Sequence, residues 1–139
     1  MMVKKICIAL MALVSVSPAF AETPGGIVAG YAAEAAKATP GFAPSAKRGQ
    51  SFFTKEWGVS QKMPNCTVCH GKNLKAEGKH VITDKRIAEF APAANPERFT
   101  DSAKTEKWFK RNCKEVIGRE CTAAEKADFI QFVIQGEQS

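Results

Sequence analysis

Residues 66–70 read Cys-Thr-Val-Cys-His, which is a CxxCH motif. In an exported chain this motif indicates covalent haem, because each thiol can add across one haem vinyl group to form a thioether. The two residues between Cys66 and Cys69 match the span of the two vinyl groups, and His70 then reaches the iron from one face. The motif therefore predicts one haem c, attached at Cys66 and Cys69, with His70 as the fifth iron ligand.

Two other uses of the motif compete with haem. A structural zinc site would need two more ligands, and after export the remaining candidates are His80, Cys113 and Cys121. A thioredoxin-like dithiol would need a βαβ context, which the sequence lacks. Haem attachment is favoured because the motif and the predicted compartment agree.

The first 21 residues predict export. Lys4 and Lys5 form a basic start, an apolar stretch follows, and Ala19-Phe20-Ala21 is a small-x-small cleavage site. We expect a signal peptide over 1–21, cleaved after Ala21, and a soluble periplasmic domain over 22–139. The segment is too short for a membrane span, although an uncleaved anchor is the alternative.

Length and charge limit the class of protein. The domain is small and benefits from a large apolar prosthetic group at its centre. The formal net charge is +6, and it falls by two when Lys4 and Lys5 are removed. So mild a surplus does not indicate nucleic-acid binding, and we expect a monomer.

The pattern predicts an all-α fold: a small cytochrome c-like helical domain wrapped around the haem. Helices are expected over 24–38, over 45–56, from a Thr100 or Asp101 cap to about Asn112, and after a capping box at Thr122 with a stop at Gly136. The Gly- and Pro-punctuated stretch over 71–96 is expected to be a long loop at the haem edge, with at most a short helical turn.

Two cysteines remain after processing and haem attachment, namely Cys113 and Cys121. In an oxidising compartment a disulfide between them is the natural interpretation. It would close a short loop near the C-terminus and stabilise the domain by roughly 2.5 kcal/mol.

The sixth iron ligand is not decided by the residues alone. Met63 lies three residues before Cys66 and is poorly placed for the distal face, so the usual His/Met pair is not expected. His80, Asn112, a lysine or an open site are the alternatives. His80 offers the strongest ligand but lies in the predicted loop, where a solvated histidine is the more ordinary interpretation. Trp108 shares a helix face with Asn112 at i, i+4 spacing and is a candidate haem-pocket residue.

Three stretches carry a resemblance to a known family: NCTVCHGKN (65–73), IAEFAPAANPERFTDSAKTEKW (87–108) and RNCKEVIGRECTAAEKADFI (111–130). Together they resemble the small monohaem cytochromes that include the sphaeroides haem protein and cytochrome c double-prime. In that family the residue before the first cysteine of the C-terminal pair is the sixth ligand, asparagine in the sphaeroides type and histidine in the double-prime type. The resemblance therefore implies the asparagine type here, with Asn112 as the ligand. The resemblance also implies the Cys113–Cys121 disulfide.

The resemblance implies a function as well. We expect His70/Asn112 ligation in the ferric state and release of Asn112 on reduction, which opens a site for O₂, NO or CO. It further implies electron exchange with another periplasmic c-type cytochrome, often a dihaem one, or with a membrane cytochrome b. Lys72, Lys75 and Lys79 could ring the haem edge for docking, or simply keep the loop solvated.

Two other functions stay open at this point. The first is a plain electron carrier with His70/His80 ligation. The second is an enzyme that uses the open site, for which no acid–base pair is recognisable. Arg98 and Arg111 lie near enough in sequence to be partners of the haem propionates or of the distal site, but solvated surface arginines are the favoured interpretation.

Overall fold

A computed structural model describes residues 22–136, so the predicted signal peptide and the last three residues of the predicted domain lie outside the described chain. Within it the fold is helical, as predicted. The helices are α1 (Pro24–Ala38), α2 (Ala46–Thr54), α3 (Thr67–His70), α4 (Ser102–Ile117) and α5 (Ala123–Gln135). None of the described helices is long and apolar enough to cross a membrane.

Side-chain caps explain where the long helices begin. Thr23, Ser45, Asp101 and Thr122 each accept a hydrogen bond from a backbone N–H in the following first turn. Such caps satisfy amide groups that have no partner inside the helix. The predicted capping box is confirmed, because the Glu125 carboxylate also accepts from the Thr122 N–H at 2.8 Å.

Helix α4 is longer than the sequence suggested. It continues past Asn112 to Ile117 and ends at Gly118, which adopts the left-handed conformation with φ of +78°. Glycine reaches that conformation without steric cost, so Gly118 rather than Asn112 is the stop signal. Asn112 therefore lies within the helix, one residue before the Cys113–Cys121 disulfide, which is present as predicted.

The loop prediction for 71–96 needs a correction. The stretch contains no helix but a small antiparallel hairpin, in which β1 (Gly78–Lys79) pairs with β2 (Arg86–Ile87). Gly78 packs against the backbone of Cys69 and His70 so closely that a Cβ would lie 3.0 Å from the His70 Cα. The Val81 N–H lies 3.4 Å from Cys69 Sγ, so the hairpin is held against the CxxCH segment.

Helices α1 and α2 both pack against α5 and form the core beside the CxxCH segment. Phe53, Ile130 and Val133 are almost fully buried. Asp128 of α5 is also buried, and its carboxylate accepts from the Ser45 N–H and from two nitrogens of Arg48 at 2.7–2.8 Å. This pairing satisfies a buried charge and fixes the start of α2 on α5.

Candidate haem site

One cavity of about 480 Å³ lies between the CxxCH segment, the hairpin and α4. That volume falls within the roughly 300–1,000 Å³ typical of ligand and cofactor pockets. The cavity is lined by every site residue predicted from the sequence apart from Cys121: Cys66, Cys69, His70, His80, Trp108, Asn112 and Cys113.

The CxxCH segment forms a single helical turn. Cys66 precedes α3 and Cys69 lies within it, three residues on, so that the two cysteines lie one turn apart. Within residues 22–136 they are the two cysteines outside the disulfide. Burial, together with the nearby Cys69, raises the pKa of the Cys66 thiol to about 11.

His70 is held by aromatic rings. Its imidazole stacks on Phe90 with a centroid distance of 4.1 Å and an interplanar angle of 28°, and the Phe53 ring centroid lies 6.5 Å from it. Burial, with smaller contributions from Arg98 and His80, lowers the pKa of His70 to about 4. The ring is therefore neutral at neutral pH, which is the form that binds a metal.

Asn112 lies at the edge of the buried face of α4. That face recurs every four residues, at Thr105, Phe109, Cys113 and Ile117. Asn112 precedes Cys113 and lines the cavity, and within residues 22–136 its side-chain amide has no hydrogen-bond partner. Trp108, one turn earlier, also lines the cavity, although it is 43% exposed and shields less than the buried Phe109.

His80 also lines this cavity rather than lying free in solvent. Its Nδ1 accepts hydrogen bonds from the backbone N–H groups of Ile82 and Thr83, both at 3.3 Å. The proton is therefore assigned to Nε2, which lies 4.0 Å from a Glu115 carboxylate oxygen. His80 and Glu115 thus connect the hairpin to α4 at the side of the cavity.

The interpretation of Arg98 as a solvated surface residue was wrong. Its Nε donates to the Glu89 carbonyl at 2.9 Å and a terminal nitrogen donates to the Ala88 carbonyl at 2.6 Å. Arg98 lines the cavity, and its guanidinium lies 5.3 Å from the Phe90 ring centroid. Arg111 also lines the cavity, but it is exposed and paired with Glu115 at 3.2 Å, as a surface arginine would be.

Sequence reasoning missed Phe90 as part of the site, and it ranked a place for Arg98 at the haem below a solvated surface position. They lie in a stretch without helical or strand periodicity, so no pattern marked which side chains turn inward. The resemblance covered both residues but gave neither a role.

The donor set fits a haem. Two cysteines one turn apart, a neutral buried imidazole and an unpartnered amide line one cavity, together with Phe90, Phe99 and other aromatic side chains. Apolar rings suit a macrocycle, and the nitrogen and oxygen atoms suit its iron. A helical domain with such a cavity at a CxxCH segment is a c-type cytochrome.

The sequence comparisons agree and are more specific. Residues 40–133 match a family described as a domain of unknown function, DUF1924. The chain is 42% identical over 127 residues to cytochrome c-type protein SHP of Cereibacter sphaeroides, covering 89% of this chain and 94% of that protein. It is 38% identical over 93 residues to cytochrome c'' of Methylophilus methylotrophus, covering 66% and 65% respectively. The chain belongs to the family of these two cytochromes, and it carries one covalent haem c.

Solved structures show the same relationship. Oxidised SHP, described as an oxygen-binding cytochrome c, superposes with a TM-score of 0.74 at 42% identity, covering 84% of this chain and 99% of that one. The solution structure of Methylophilus methylotrophus cytochrome c'', whose description concerns haem-ligand detachment, gives 0.67 at 34% identity, covering 80% and 91%.

Proposed function

We propose that this protein is a periplasmic cytochrome whose haem is held by thioethers to Cys66 and Cys69, with His70 as the permanent axial ligand. Asn112 is the sixth ligand in the ferric state and leaves on reduction, which opens a site for O₂, NO or CO. The observation that carries the proposal is the unpartnered Asn112 amide, which lines the same cavity as His70. The relatives' descriptions, oxygen binding in SHP and haem-ligand detachment in cytochrome c'', support it.

The chemistry of Asn112 explains the switch. When bound, haem supplies an iron that exchanges one electron and, in the ferrous state, takes diatomic ligands. An amide oxygen is a hard, neutral and weak donor, which suits ferric iron better than ferrous iron. Asn112 is therefore displaced on reduction, whereas an imidazole in its place would bind either state more firmly.

The surroundings of Asn112 make this release local and reversible. The residue lies inside α4, and the Cys113–Cys121 disulfide that follows it limits how far this part of the helix can move. The freed amide stays at the cavity, where its N–H₂ group can donate a hydrogen bond to a bound ligand. The buried Phe109 keeps water from that side.

A bis-histidine electron carrier is the second candidate. It is favoured by the position of His80, which lines the same cavity. The backbone hydrogen bonds to Nδ1 count against it, because they leave the proton on Nε2, and that nitrogen has no lone pair for iron unless those bonds are broken. Against it stands Glu115, which lies 4.0 Å from Nε2 and competes for that group. If His80 were the ligand and stayed bound in both oxidation states, reduction would release nothing and no gas site would open.

The spin state of the iron separates the two candidates. We expect the oxidised holoprotein to be low-spin and the reduced holoprotein to be high-spin, measured by optical absorption and, for the ferric form, by electron paramagnetic resonance. The change follows because loss of the amide leaves ferrous iron with five ligands. A reduced form that stays low-spin would favour the His70/His80 carrier.

Electrons are proposed to enter near Cys69 from another periplasmic cytochrome or a membrane cytochrome b. Three exposed apolar side chains lie on the CxxCH turn and the hairpin tip: Val68, Val81 and Ile82, at 41%, 43% and 54% exposure. Residues 71–87 carry five basic side chains against two acidic ones. This apolar centre with a cationic surround fits an acidic redox partner.

Reduction by an anionic donor should therefore depend on salt. We expect photoreduced flavin mononucleotide, an anion, to reduce the protein several-fold more slowly when ionic strength rises from about 0.01 to 0.5 M, because the attraction is screened. Neutral lumiflavin should show little change. The double variant Lys72→Glu/Lys85→Glu should lose most of the salt effect, while the matched exposed change Lys47→Glu on α2 should keep it. If the rates of reduction by the two flavins depended equally on salt, this docking surface would be contradicted.

A further inference from the structure

Arg98 is fixed in one orientation beside the proximal side of the cavity. Two of its nitrogens donate to the carbonyls of Ala88 and Glu89, and its guanidinium lies 5.3 Å from the Phe90 ring centroid. Phe90 in turn stacks on His70 at 4.1 Å. Arg98, Phe90 and His70 thus form a short chain of contacts that brings a fixed positive charge close to the proposed axial ligand.

The charge of Arg98 is not balanced by the described protein. Both of its hydrogen-bond acceptors are neutral carbonyls, and no carboxylate within residues 22–136 forms an ion pair with it. Burial lowers the pKa of the guanidinium, and the more distant Glu89 opposes this only in part. An arginine remains charged in such a setting, so its desolvation is a free-energy cost that a buried anion would offset.

The cavity offers a place for that anion. Arg98 lines it, and its remaining N–H groups are free for an acceptor, since a guanidinium has five donors and the two carbonyls use two. A planar guanidinium matches a carboxylate better than any other side chain does. Haem carries two propionate carboxylates, and they are the anions expected in this cavity.

We propose that Arg98 is the counter-ion of a haem propionate and that its charge raises the reduction potential of the iron. The proposal rests on the haem site described above and deepens it. A fixed positive charge disfavours the ferric state, which carries one more positive charge than the ferrous state. Arg98 is therefore a positioning residue that sets the potential at which the iron is reduced and Asn112 is released.

The test is the midpoint potential of purified holoprotein variants, measured by spectroelectrochemistry. For Arg98→Gln we expect the ferrous-to-ferric ratio at a fixed applied potential to fall about tenfold, equivalent to a downward shift of about 59 mV for one electron. Lys47→Gln removes the same charge from an exposed position on α2 and should leave the ratio unchanged. Arg98→Lys keeps the charge and should retain most of the wild-type potential.

A second readout reports on the propionate itself. Resonance Raman spectra should show a shifted propionate bending band in Arg98→Gln and in Arg98→Lys, but not in Lys47→Gln. If Arg98→Gln does not accumulate as holoprotein, the band in Arg98→Lys decides the matter. A wild-type band in Arg98→Lys, or a wild-type potential in a folded Arg98→Gln protein, overturns the proposal. Neither measurement requires ligand release, so a failure of the Asn112 switch would be seen separately.

Discussion

Replacing Asn112 with alanine is expected to convert the ferric protein from low-spin to high-spin and to open it to external ligands. Alanine has no donor atom, so the sixth position passes to water or stays open. An internal ligand that occupies the iron reduces the apparent affinity of a competitor in proportion to the fraction of open sites. We therefore expect ferric azide or imidazole binding to tighten by roughly ten- to a hundredfold, measured by optical titration.

His80→Ala is the matched control, because it removes the other candidate ligand from the same cavity. That variant should keep the low-spin ferric spectrum and the wild-type affinity for azide. If instead His80→Ala loses the low-spin spectrum and Asn112→Ala retains it, His80 is the sixth ligand and the protein is a bis-histidine carrier.

Gly49→Ala is expected to destabilise the fold strongly. Gly49 of α2 is buried against α5, where a Cβ would lie 2.6 Å from the Asp128 carbonyl carbon and 2.8 Å from the Phe132 Cβ. Two helical backbones cannot move apart without losing the Asp128 interactions with Ser45 and Arg48. We expect a loss of about 3 kcal/mol in the free energy of unfolding, measured by urea denaturation of the holoprotein.

Gly30→Ala provides the control for helix propensity. Gly30 lies in α1, and a Cβ added there would meet no atom within 4 Å, so alanine finds no obstacle. The change should be neutral or stabilise by up to about 1 kcal/mol. A Gly49→Ala protein as stable as Gly30→Ala would mean that α2 and α5 do not pack as closely as described.

The helices were predictable where short-range chemistry defines them. Helix starts are marked by Ser45, Asp101 and Thr122, because their side chains accept hydrogen bonds from backbone amides in the next turn. The CxxCH turn likewise depends on residues adjacent in sequence. The predicted end of α4 near Asn112 was wrong, because the helix continues to Ile117 and ends at the left-handed Gly118. A single sequence therefore shows where a helix begins more readily than it shows which of several residues ends it.

The site was only partly predictable for a different reason. Cys66, Cys69 and His70 are adjacent in sequence, so one motif carries them. Asn112 was assigned to the site only through the family resemblance, because nothing in its local sequence distinguishes it from a capping or packing asparagine. Phe90 and Arg98 depend on how the segment after the hairpin folds over His70, and such tertiary contacts leave no periodic signal.

The most direct test of the central claim is to add CO to the reduced wild-type holoprotein and record the optical spectrum. If Asn112 leaves the iron on reduction, the high-spin ferrous spectrum will convert promptly and stoichiometrically to that of a low-spin CO complex. A reduced protein that is already low-spin and does not respond to CO would contradict the account, because it would show a sixth ligand that reduction does not release.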